Sequence, residues 1–501
     1  MRGRSAWLDP LLVAVFGAAV SLAGAARPSF WYDEAATISA AYSRPLSGLW
    51  DMLGNVDAVH GLYYLLMHGW FEIFPHTEFW SRVPSGLGVG GAAAGIVVLG
   101  GQLSTRTVAL TSGVMCAILP RSTWAGIEAR PFALSMLLAV WLTVVLVASA
   151  RRGTWWAWVG YGALLGVSVL FEVYLALLPA VHAVFLLAFC RRRRVLLPFA
   201  ATSVVILGAA VPFVAVVAAQ VHQVAWITPI GRRTLEDVAV QQYFDRVPLF
   251  ACAAAAVVLG AAALWLLKVR AISPGDRKLV VLAAAWLVLP TAVIILRSVV
   301  AEPVYTPRYL CFTAPAMALL LGVCITALAR PVWATAVVVA LFAVLAIPNY
   351  AAVQRGPYAK YGMDYSQVAD LISAHAAPGD CLLVYDTVTF QPAPLRPLLA
   401  ARPDAYRDLV DVSLWQRAVD RRAVFDTNLI PQASTGPLAR CPNLWVITQA
   451  DPAAPEHEQG VAIPPGPLFG GTPAFAVTHD LGYRLTERWQ FNLVQVFRAE
   501  R

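Results

Sequence analysis

The chain has 501 residues, of which 59% are hydrophobic and only 13% are charged. Soluble domains carry about 25% charged residues, so the composition excludes a soluble protein over the whole length. Apolar stretches recur up to about residue 350, whereas residues 351–501 have an ordinary globular composition. Much of the net charge of +8 lies in short loops between apolar segments, where it orients a membrane protein. We therefore expect a membrane module at 1–350, a separate domain at 351–501, and no nucleic-acid partner.

Eleven apolar stretches approach the length of about 20 residues that a helix needs to cross a bilayer. The first of them resembles a signal peptide, but the many similar segments that follow indicate a retained signal-anchor helix. An odd number of spans puts the two ends of the chain on opposite sides of the membrane. The predicted spans are 11–26, 83–101, 107–123, 132–149, 155–171, 174–190, 195–217, 248–267, 279–297, 309–329 and 332–349.

The basic residues predict the orientation of these spans. With the N-terminus inside, nearly every segment predicted to be cytoplasmic is basic, as the positive-inside rule requires. The run of four arginines at 191–194 is then interpreted as a cytoplasmic anchor rather than a specific lipid site. The basic residues predicted to be cytoplasmic are Arg2, Arg4, Arg106, Arg151, Arg152, Arg191, Arg192, Arg193, Arg194, Lys268, Arg270, Arg277, Lys278 and Arg330.

The stretch VHGLYYLLMHGWFEIF, residues 59–74, is apolar but contains His60, His68 and Glu72. If it were a span, Arg106 and the later basic loops would move to the outer side, against the positive-inside rule. We therefore predict an interfacial helix on the outer surface, with its aromatic rings at the level of the lipid headgroups. The whole first loop, 27–82, is then external.

The predicted external segments contain the residues most suggestive of a site. FWYDEA places Asp33 and Glu34 just after the first span, and NVDAVHGLYY adds Asp57 and His60. Carboxylates close to a bilayer are costly and are usually functional. The later external segments are GIEARPFA with Glu128 and Arg130, FEVY with Glu172, and VYTPRYL with Tyr305 and Arg308.

These residue types together suit the transfer of a sugar from a lipid phosphate. A carboxylate can take the proton of the acceptor hydroxyl, and we assign that role to Asp33. Guanidinium groups hold a departing phosphate well, and we assign that role to Arg130 and Arg308. The ends of the spans put the site at the membrane surface, where a donor with a lipid tail must stay. A structural role is the alternative for Asp33, as a helix cap or as an ion-pair partner of Arg27 or Arg82.

Four motifs at these residues resemble the protein O-mannosyltransferase-like family, which belongs to the GT-C class of membrane glycosyltransferases. WYDEA is similar to the acidic Asp-Glu motif of that family. DAVHGLYYLLMHGW followed by EFWSRVPSG is similar to its D-x-H-P-P-L-Y-Y-L-L-x-H-x-W…R-L-P-S stretch. IEARPFAL is similar to S-Q-E-A-R-x-Y-A-L, and PRYLCFTAPAMALLLG to the late R-Y-L-x-x-x-x-P segment. The resemblance covers residues 28–140 well and the late spans loosely.

The resemblance implies an inverting hexosyltransferase that uses a polyprenyl-phosphate sugar, with Asp33 as catalytic base. It also implies that carboxylates of the first external loop, such as Asp57, help to position the acceptor or a metal, and that Arg130 faces the donor phosphate. Glu34 and Asp57 are further catalytic candidates. The abundance of Ala, Val, Arg and Pro resembles actinobacterial members of the family, so mannose is the expected sugar. The expected acceptor is a glycan, glycolipid or protein of the cell envelope. The expected substrate-binding residues are His60, Tyr64, Glu128, Arg130, Tyr305 and Arg308.

A divalent cation, Mg²⁺ or Mn²⁺, is the one cofactor that the sequence suggests. Asp57 and His60 are its candidate ligands, although a D-x-x-H spacing alone is a weak metal motif. The same two residues are equally suited to bind the acceptor sugar. The sequence departs from the family pattern where HG-L replaces H-P-P-L and AGI precedes Glu128, and both departures affect fine positioning rather than the class.

Residues 351–501 alternate helix and strand patterns, which predicts a small extracytoplasmic α/β domain. We predict a helix at 364–376, a strand in CLLVYD, a second helix in VDVSLWQRAV, a strand in NLWVITQ, and two strands joined by a turn in YRLTERWQFNLVQVFRA. Cys381 and Cys441 each begin a predicted strand in a compartment that permits disulfides, so we predict a bridge between them. Two buried free thiols are the alternative. The domain either covers the site, binds the acceptor or is purely structural.

The favoured interpretation is an α-helical polytopic membrane protein of GT-C-like fold, with about 11 transmembrane helices and a small C-terminal α/β domain. It would transfer sugar at the outer face of the cytoplasmic membrane. A lipid or sugar transporter or flippase is the main alternative, but transporters favour charges at the bilayer midplane and two related halves. Here the charges cluster at span ends. A non-catalytic assembly protein of the cell envelope is the third possibility.

The orientation makes a prediction that thiol labelling tests. In intact cells we expect a cysteine introduced by Asp57→Cys to react with a membrane-impermeant reagent, because position 57 is predicted to be external. A cysteine introduced by Arg191→Cys should react only after lysis. Labelling at position 191 but not at position 57 in intact cells would overturn both the topology and the function inferred from it.

Overall fold

The computed structural model describes residues 5–385 and 394–501, so Arg2 and Arg4, predicted to be cytoplasmic, lie outside the described residues. Contacts divide the chain into two compact units. Two parts of the first loop fold with the C-terminal residues, whereas the sequence suggested a single boundary at residue 350. The first unit comprises Met1–Ala25, Asp57–Tyr63 and Phe79–Gln354, and the second comprises Ala26–Val56, Tyr64–Glu78 and Arg355–Arg501.

The first unit is helical, and each of the eleven predicted spans has a helical counterpart among the described residues. Within residues 5–385 and 394–501, seven helical stretches are long and apolar enough to cross a membrane, and four apolar helices are shorter. The seven are Glu78–Leu103, Phe132–Arg152, Arg193–Ala219, Pro248–Leu266, Pro274–Val300, Pro307–Leu328 and Val332–Val353. The four shorter ones are Trp7–Leu22, Arg106–Ile118, Trp155–Phe171 and Val173–Phe189.

The long helices differ in how far protein covers them. In Glu78–Leu103, 83% of the most apolar segment is buried, whereas in Arg193–Ala219 only 11% is buried. An apolar helix face that no protein covers needs another apolar medium against it. A helix also satisfies its own backbone hydrogen bonds, as a hydrocarbon environment requires. The chain is therefore a multi-pass membrane protein.

Small residues bring the central helices close together. A Cβ atom added at Gly90 would lie 2.5 Å from the carbonyl oxygen of Ala14, and one added at Gly322 would collide with Ser112. Helices in a membrane gain no hydrophobic driving force from each other and associate through such close backbone contacts. Glycine at these two positions therefore sets the spacing within the bundle.

A helix also forms where the sequence predicted an interfacial one. A short 3-10 turn, Ala58–His60, leads into the α-helix Gly61–Phe71. Two further helices of the first loop, Tyr32–Ala41 and Leu46–Leu53, belong to the second unit. The loop is therefore largely ordered into short helices.

The second unit contains a mixed β-sheet. Among the described residues, six strands pair in the order β2-β1-β5-β8-β7-β6, and β3 pairs with β4 separately. Strands β2, β1 and β5 are parallel, and the other pairs are antiparallel. The strands are β1 (Cys381–Val384), β2 (Val410–Asp411), β3 (Leu414–Gln416), β4 (Thr427–Asn428), β5 (Asn443–Gln449), β6 (His457–Gln459), β7 (Arg484–Gln490) and β8 (Val494–Glu500).

The predicted helix at 364–376 is confirmed as Tyr365–His375, and the predicted strands are confirmed as β1, β5, β7 and β8. The helix predicted in VDVSLWQRAV is wrong, because this segment contains β2 and β3 instead. Val410, Val412 and Leu414 alternate with polar residues, and this period of two fits a strand. The parallel neighbour β1 supplies the hydrogen-bonding edge that short strand β2 needs.

The first loop and the C-terminal residues share one hydrophobic core within the second unit. Phe30 and Trp31 are buried in the same cluster as Tyr365 and Val368. The backbone N–H of Phe30 donates to the Ser366 hydroxyl at 3.0 Å. The ring of Trp31 lies 4.6 Å from that of Tyr361. The helix Tyr32–Ala41 is thus fixed at its start by residues more than 300 positions away.

Both ends of that loop are held in the same way. The Glu78 carboxylate accepts hydrogen bonds from the Ser366 hydroxyl at 2.5 Å and from Arg402 at 2.6 and 2.9 Å. Arg402 also donates to Asp370 at 3.1 Å. These charged groups lie within one unit and extend the apolar core with a polar network.

The structure joins Cys381 and Cys441 in a disulfide, with Cα atoms 6.0 Å apart. Cys381 begins β1, and Cys441 precedes β5, the parallel neighbour of β1. The bridge therefore links the starts of two adjacent strands, and it closes a segment of 60 residues.

Replacing both residues (Cys381→Ser with Cys441→Ser) should destabilise the second unit, because the unfolded chain loses a cross-link. For a loop of this length, chain entropy corresponds to about 4 kcal/mol. We expect a lower thermal midpoint for the purified double variant in detergent, with Cys252→Ser, an exposed free cysteine, as the unchanged control. Free thiols at both positions in non-reduced wild-type peptides would contradict the bridge.

Candidate functional site

The sharp turn at Asp57 positions the first group of candidate residues. Asp57 has a φ of 59°, in the left-handed region that non-glycine residues seldom adopt. Its backbone N–H donates to the Gln223 side chain at 3.1 Å, and that of Ala58 donates to the Gln220 side chain at 2.9 Å. Two glutamines therefore stabilise a strained turn, and the turn directs the chain into the segment that carries His60.

His60 and Arg130 form the centre of the candidate site in the first unit. The Arg130 guanidinium lies 2.7 Å from Nε2 of His60, and both side chains are buried. Burial lowers the pKa of His60 well below its usual range, and the positive charges of Arg130 and Arg308 lower it further. His60 is therefore neutral, and its ring nitrogen accepts a hydrogen bond from Arg130.

Arg308 lies within electrostatic reach of the same histidine. Its guanidinium stacks over Trp226, 4.9 Å from the ring centre, and lies 5.6 Å from the ring of Tyr309. Stacking of a guanidinium on aromatic faces is a favourable cation–π contact. Two guanidinium groups thus flank one neutral imidazole.

Two buried carboxylates accompany these cations. Glu172, at the break between Trp155–Phe171 and Val173–Leu177, interacts electrostatically with Arg130. Glu128 is fully buried, and its backbone carbonyl accepts a hydrogen bond from the Ser85 hydroxyl at 2.5 Å. This bond fixes the turn that carries Arg130. Burial raises the pKa of Glu172 to about 7, and the positive charge of Arg130 acts in the opposite direction.

Tyr305 takes part in a different polar cluster. Its hydroxyl donates to the Gln242 side chain at 3.1 Å, and the Gln242 amide in turn bonds Thr291 and Thr313. The Tyr305 backbone N–H donates to the Ser298 hydroxyl at 3.0 Å. Its contacts thus connect the segment before Pro307–Leu328 to the helix Pro274–Val300, as expected for a residue that positions this loop.

The candidates Asp33, Glu34 and Tyr64 belong to the second unit. Asp33 and Glu34 lie in the first turn of Tyr32–Ala41, where the helix dipole favours negative charge. Glu34 is fully buried, whereas Asp33 is partly exposed. Of the two carboxylates, only Asp33 is in contact with solvent.

Tyr64 is buried and lies within electrostatic reach of Arg44. The Arg44 guanidinium donates to the backbone carbonyl of Ser39 at 2.9 Å and to its hydroxyl at 3.0 Å. This contact fixes the end of the helix that begins with Asp33 and Glu34.

The residues considered for a metal ion do not form a ligand set on their own. Among the described residues, no group of three or more His, Cys, Asp or Glu side chains is arranged to hold a metal. His60 also faces Arg130, and a guanidinium opposes a cation beside it. A metal at Asp57 and His60 stays a prediction.

The arrangement in the first unit is chemically suited to an anion. Two guanidinium groups provide charge-assisted hydrogen bonds that match phosphate oxygens. Neutral His60 orients Arg130 without cancelling its charge. The three residues come from separate segments of the sequence that are predicted to be external, and the fold brings them together.

Sequence reasoning missed Gln220, Gln223 and Trp226, which support the site from one segment. Gln220 and Gln223 hold the turn at Asp57, and Trp226 stacks on Arg308. The position of this polar segment indicated a possible site, because it directly follows the apolar span Arg193–Ala219 on the predicted outer side. The segment 220–226 contains no Asp, Glu, Lys or Arg, so a search for charged candidate residues did not select it.

No family model matches the sequence, and a comparison with curated proteins finds no match. Solved structures do match. ArnT from Cupriavidus metallidurans bound to undecaprenyl phosphate has a TM-score of 0.57 at 15% identity, covering 99% of this chain and 98% of ArnT. The apo form of the same protein has a TM-score of 0.57 at 14% identity, covering 97% of each chain.

The arabinofuranosyltransferase AftD from Mycobacteria is also similar, with a TM-score of 0.50 at 16% identity, covering 97% of this chain and 39% of AftD. At such identities the likeness shows a shared fold. The predicted fold class, GT-C-like with a small C-terminal α/β domain, is therefore confirmed. The finer resemblance to the O-mannosyltransferase-like family stays a prediction.

The arginine pair predicts how phosphate binding responds to mutation. Arg130→Ala should weaken binding of undecaprenyl phosphate by about 10- to 100-fold, because a hydrogen bond to a charged group contributes about 1.5–3 kcal/mol. The affinity of the Arg130→Lys variant should lie between those of the wild type and Arg130→Ala, because lysine keeps the charge but lacks the planar guanidinium. Binding would be measured on purified protein in detergent.

Arg233→Ala is the matched control, because Arg233 is an exposed arginine in another predicted external segment. It should bind the lipid as the wild type does. Unchanged affinity in a correctly folded Arg130→Ala protein would show that Arg130 does not contact the phosphate.

Proposed function

We propose that this chain is an inverting membrane glycosyltransferase. It would move a sugar, expected to be mannose, from a polyprenyl-phosphate donor to a glycan, glycolipid or protein acceptor of the cell envelope. The reaction would take place at the outer face of the cytoplasmic membrane, with the N-terminus inside and residues 351–501 outside. This orientation rests on the positive-inside pattern of the basic loops.

One observation carries the proposal. Arg130 and Arg308 both act on the buried, neutral His60, and they do so in a chain that shares the fold of ArnT over nearly its whole length. ArnT in the matching structure is bound to undecaprenyl phosphate. A pair of guanidinium groups is suited to the same phosphate chemistry here.

The proposed chemistry is a single displacement at the anomeric carbon. The acceptor oxygen bonds to that carbon as its proton passes to the Asp33 carboxylate. The bond from the anomeric carbon to the phosphate oxygen breaks, and its electron pair leaves on the phosphate. Arg130 and Arg308 stabilise the charge that develops there. One displacement from the opposite face inverts the configuration.

The other candidates would have supporting roles. Asp57 and His60 would position the acceptor and Arg130, respectively, while Glu34, Tyr64 and Glu128 would support the segments that carry the reacting groups. Tyr305 would hold its loop through Gln242. Each of these roles is a proposal on the same footing as that of Asp33.

A transporter or flippase for a lipid or sugar is the alternative function, and a non-catalytic envelope assembly protein is a second one. Both predict binding without turnover. Incubating the purified chain with polyprenyl-phosphate mannose and a membrane extract as the acceptor source separates them from an enzyme. Release of polyprenyl phosphate together with a new mannosylated product supports the proposal. Comparing envelope glycans and lipid-linked sugars of a deletion strain with wild type identifies the sugar and the acceptor.

Asp33→Asn tests the proposed base. The variant keeps the shape of the side chain but removes the basic oxygen, so turnover should fall by about 10²–10⁴-fold, the usual contribution of acid–base assistance. Protein level and undecaprenyl phosphate binding should persist. The assay is initial rate at saturating donor.

Asp51→Asn provides the control, since Asp51 is an exposed carboxylate in the neighbouring helix Leu46–Leu53 of the same unit. It should leave the rate unchanged. Near-normal transfer by Asp33→Asn would make the role of Asp33 structural, and Glu34 and Asp57 would then become the candidate bases.

A further inference from the structure

A polar cavity lies in the first unit, at the face that the basic loops assign to the cytoplasm. Its volume is about 300 Å³. The starts of Arg106–Ile118 and Pro274–Val300 line it together with the ends of Pro248–Leu266 and Pro307–Leu328. A cavity where four apolar helices end lies at the boundary between hydrocarbon and headgroups.

The charged residues that line the cavity are two arginines and one carboxylate. Arg270 donates to the backbone carbonyls of Ala327 and Leu328 at the end of a helix, which holds its guanidinium in place. Arg330 also lines the cavity and has no hydrogen-bond or ion-pair partner within residues 5–385 and 394–501. An arginine carries five N–H donors, so the cavity walls offer donors that the protein itself does not use.

The carboxylate is less able to repel an anion than its charge suggests. The hydroxyl of Ser104 donates to the Asp276 carboxylate, which spreads part of its charge into that bond. The backbone N–H of Asp276 donates to the Ser273 hydroxyl at 3.0 Å. Asp276 thus participates in the local structure of the helix start, and two guanidinium groups outweigh its single charge.

Two helix starts add to the arginines. Thr105 and Ser273 cap helices of 13 and 27 residues, and their hydroxyls accept from Val108 and Asp276. The N-terminal ends of α-helices carry partial positive charge and favour anions. The cavity therefore combines two guanidinium groups, two helix starts and several hydroxyls around one space.

The surroundings indicate an anion that carries an apolar tail. Trp265, from the end of Pro248–Leu266, lines the cavity, and tryptophan prefers the interface between water and hydrocarbon. Only 17% of the most apolar segment of that helix is buried, so lipid contacts it beside the cavity. A free phosphate would use the arginines but not this apolar side.

We propose that this cavity binds the phosphate headgroup of an anionic phospholipid from the inner leaflet. The headgroup phosphate lies between Arg270 and Arg330, and the acyl chains follow the exposed side of Pro248–Leu266. Basic pockets between the cytoplasmic ends of membrane helices are suited to such headgroups. The site is separate from His60 and Arg130 and does not depend on the reaction proposed above.

Native mass spectrometry of the full-length protein tests the proposal by titration with phosphatidylglycerol and, separately, phosphatidylcholine. We expect preferential retention of phosphatidylglycerol. Arg330→Gln should weaken it by about tenfold or more, the size of one charge-assisted contact. The double variant Arg270→Gln with Arg330→Gln should weaken it further. The double variant also loses the contact of Arg270 with the end of a helix, which could prevent folding. The single variant Arg330→Gln keeps that contact and therefore tests the site in either case.

The matched control is Arg192→Gln with Arg194→Gln, which removes two charges from the same predicted face outside the cavity. It should retain phosphatidylglycerol as the wild type does. An equal loss of phosphatidylglycerol binding in the control variant would show that general surface charge, and not the cavity, retains the lipid, and would overturn the proposal. Equal retention of both lipids by the wild type would overturn it as well. Displacement of the lipid by millimolar inorganic phosphate would identify a site for free phosphate instead.

Discussion

The hydrophobic core that the first loop shares with the C-terminal residues is the constraint on which the second unit depends. Phe30 and Trp31 are buried with Tyr365, and a fully buried aromatic side chain contributes roughly 1.5–3 kcal/mol. The entropy lost on closing a loop grows only slowly with its length. Contacts between residues more than 300 positions apart therefore cost little more entropy than contacts across shorter loops. The helix that carries Asp33 and Glu34 begins directly after these anchors. Residues 355–501 are thus part of the scaffold that holds the acidic motif.

The first unit depends on a different balance, that of buried charge. Burying an arginine is costly unless hydrogen bonds and countercharges compensate it. Arg130 bonds neutral His60 and interacts with Glu172, while Arg308 stacks on Trp226. A histidine that stayed charged would add a third positive group, and burial together with the two arginines prevents this. The result is a buried pair of cations, and guanidinium groups match phosphate oxygens.

The two faces of the membrane module make different use of arginine. At the predicted outer face, Arg130 and Arg308 lie against a histidine and aromatic rings. At the predicted inner face, Arg270 and Arg330 lie among helix ends with Thr105 and Ser273. The positive-inside rule concerns the second set.

The sequence by itself determined the membrane class, the helical counterparts of all eleven spans, and the main strands and the helix of the C-terminal part. It also singled out His60, Arg130 and Arg308, which the fold brings together. These follow from local signals, since hydropathy over about 20 residues marks a span and alternation marks a strand. Only the tertiary structure decided that parts of the first loop fold with the C-terminal residues and that residues 410–416 form strands. It also decided that Tyr305 bonds Gln242 and that Gln220 and Gln223 hold the turn at Asp57. Each of these depends on a partner far away in the chain, and hydrophobic periodicity carries no information about which distant segment will supply the buried surface or the hydrogen bond.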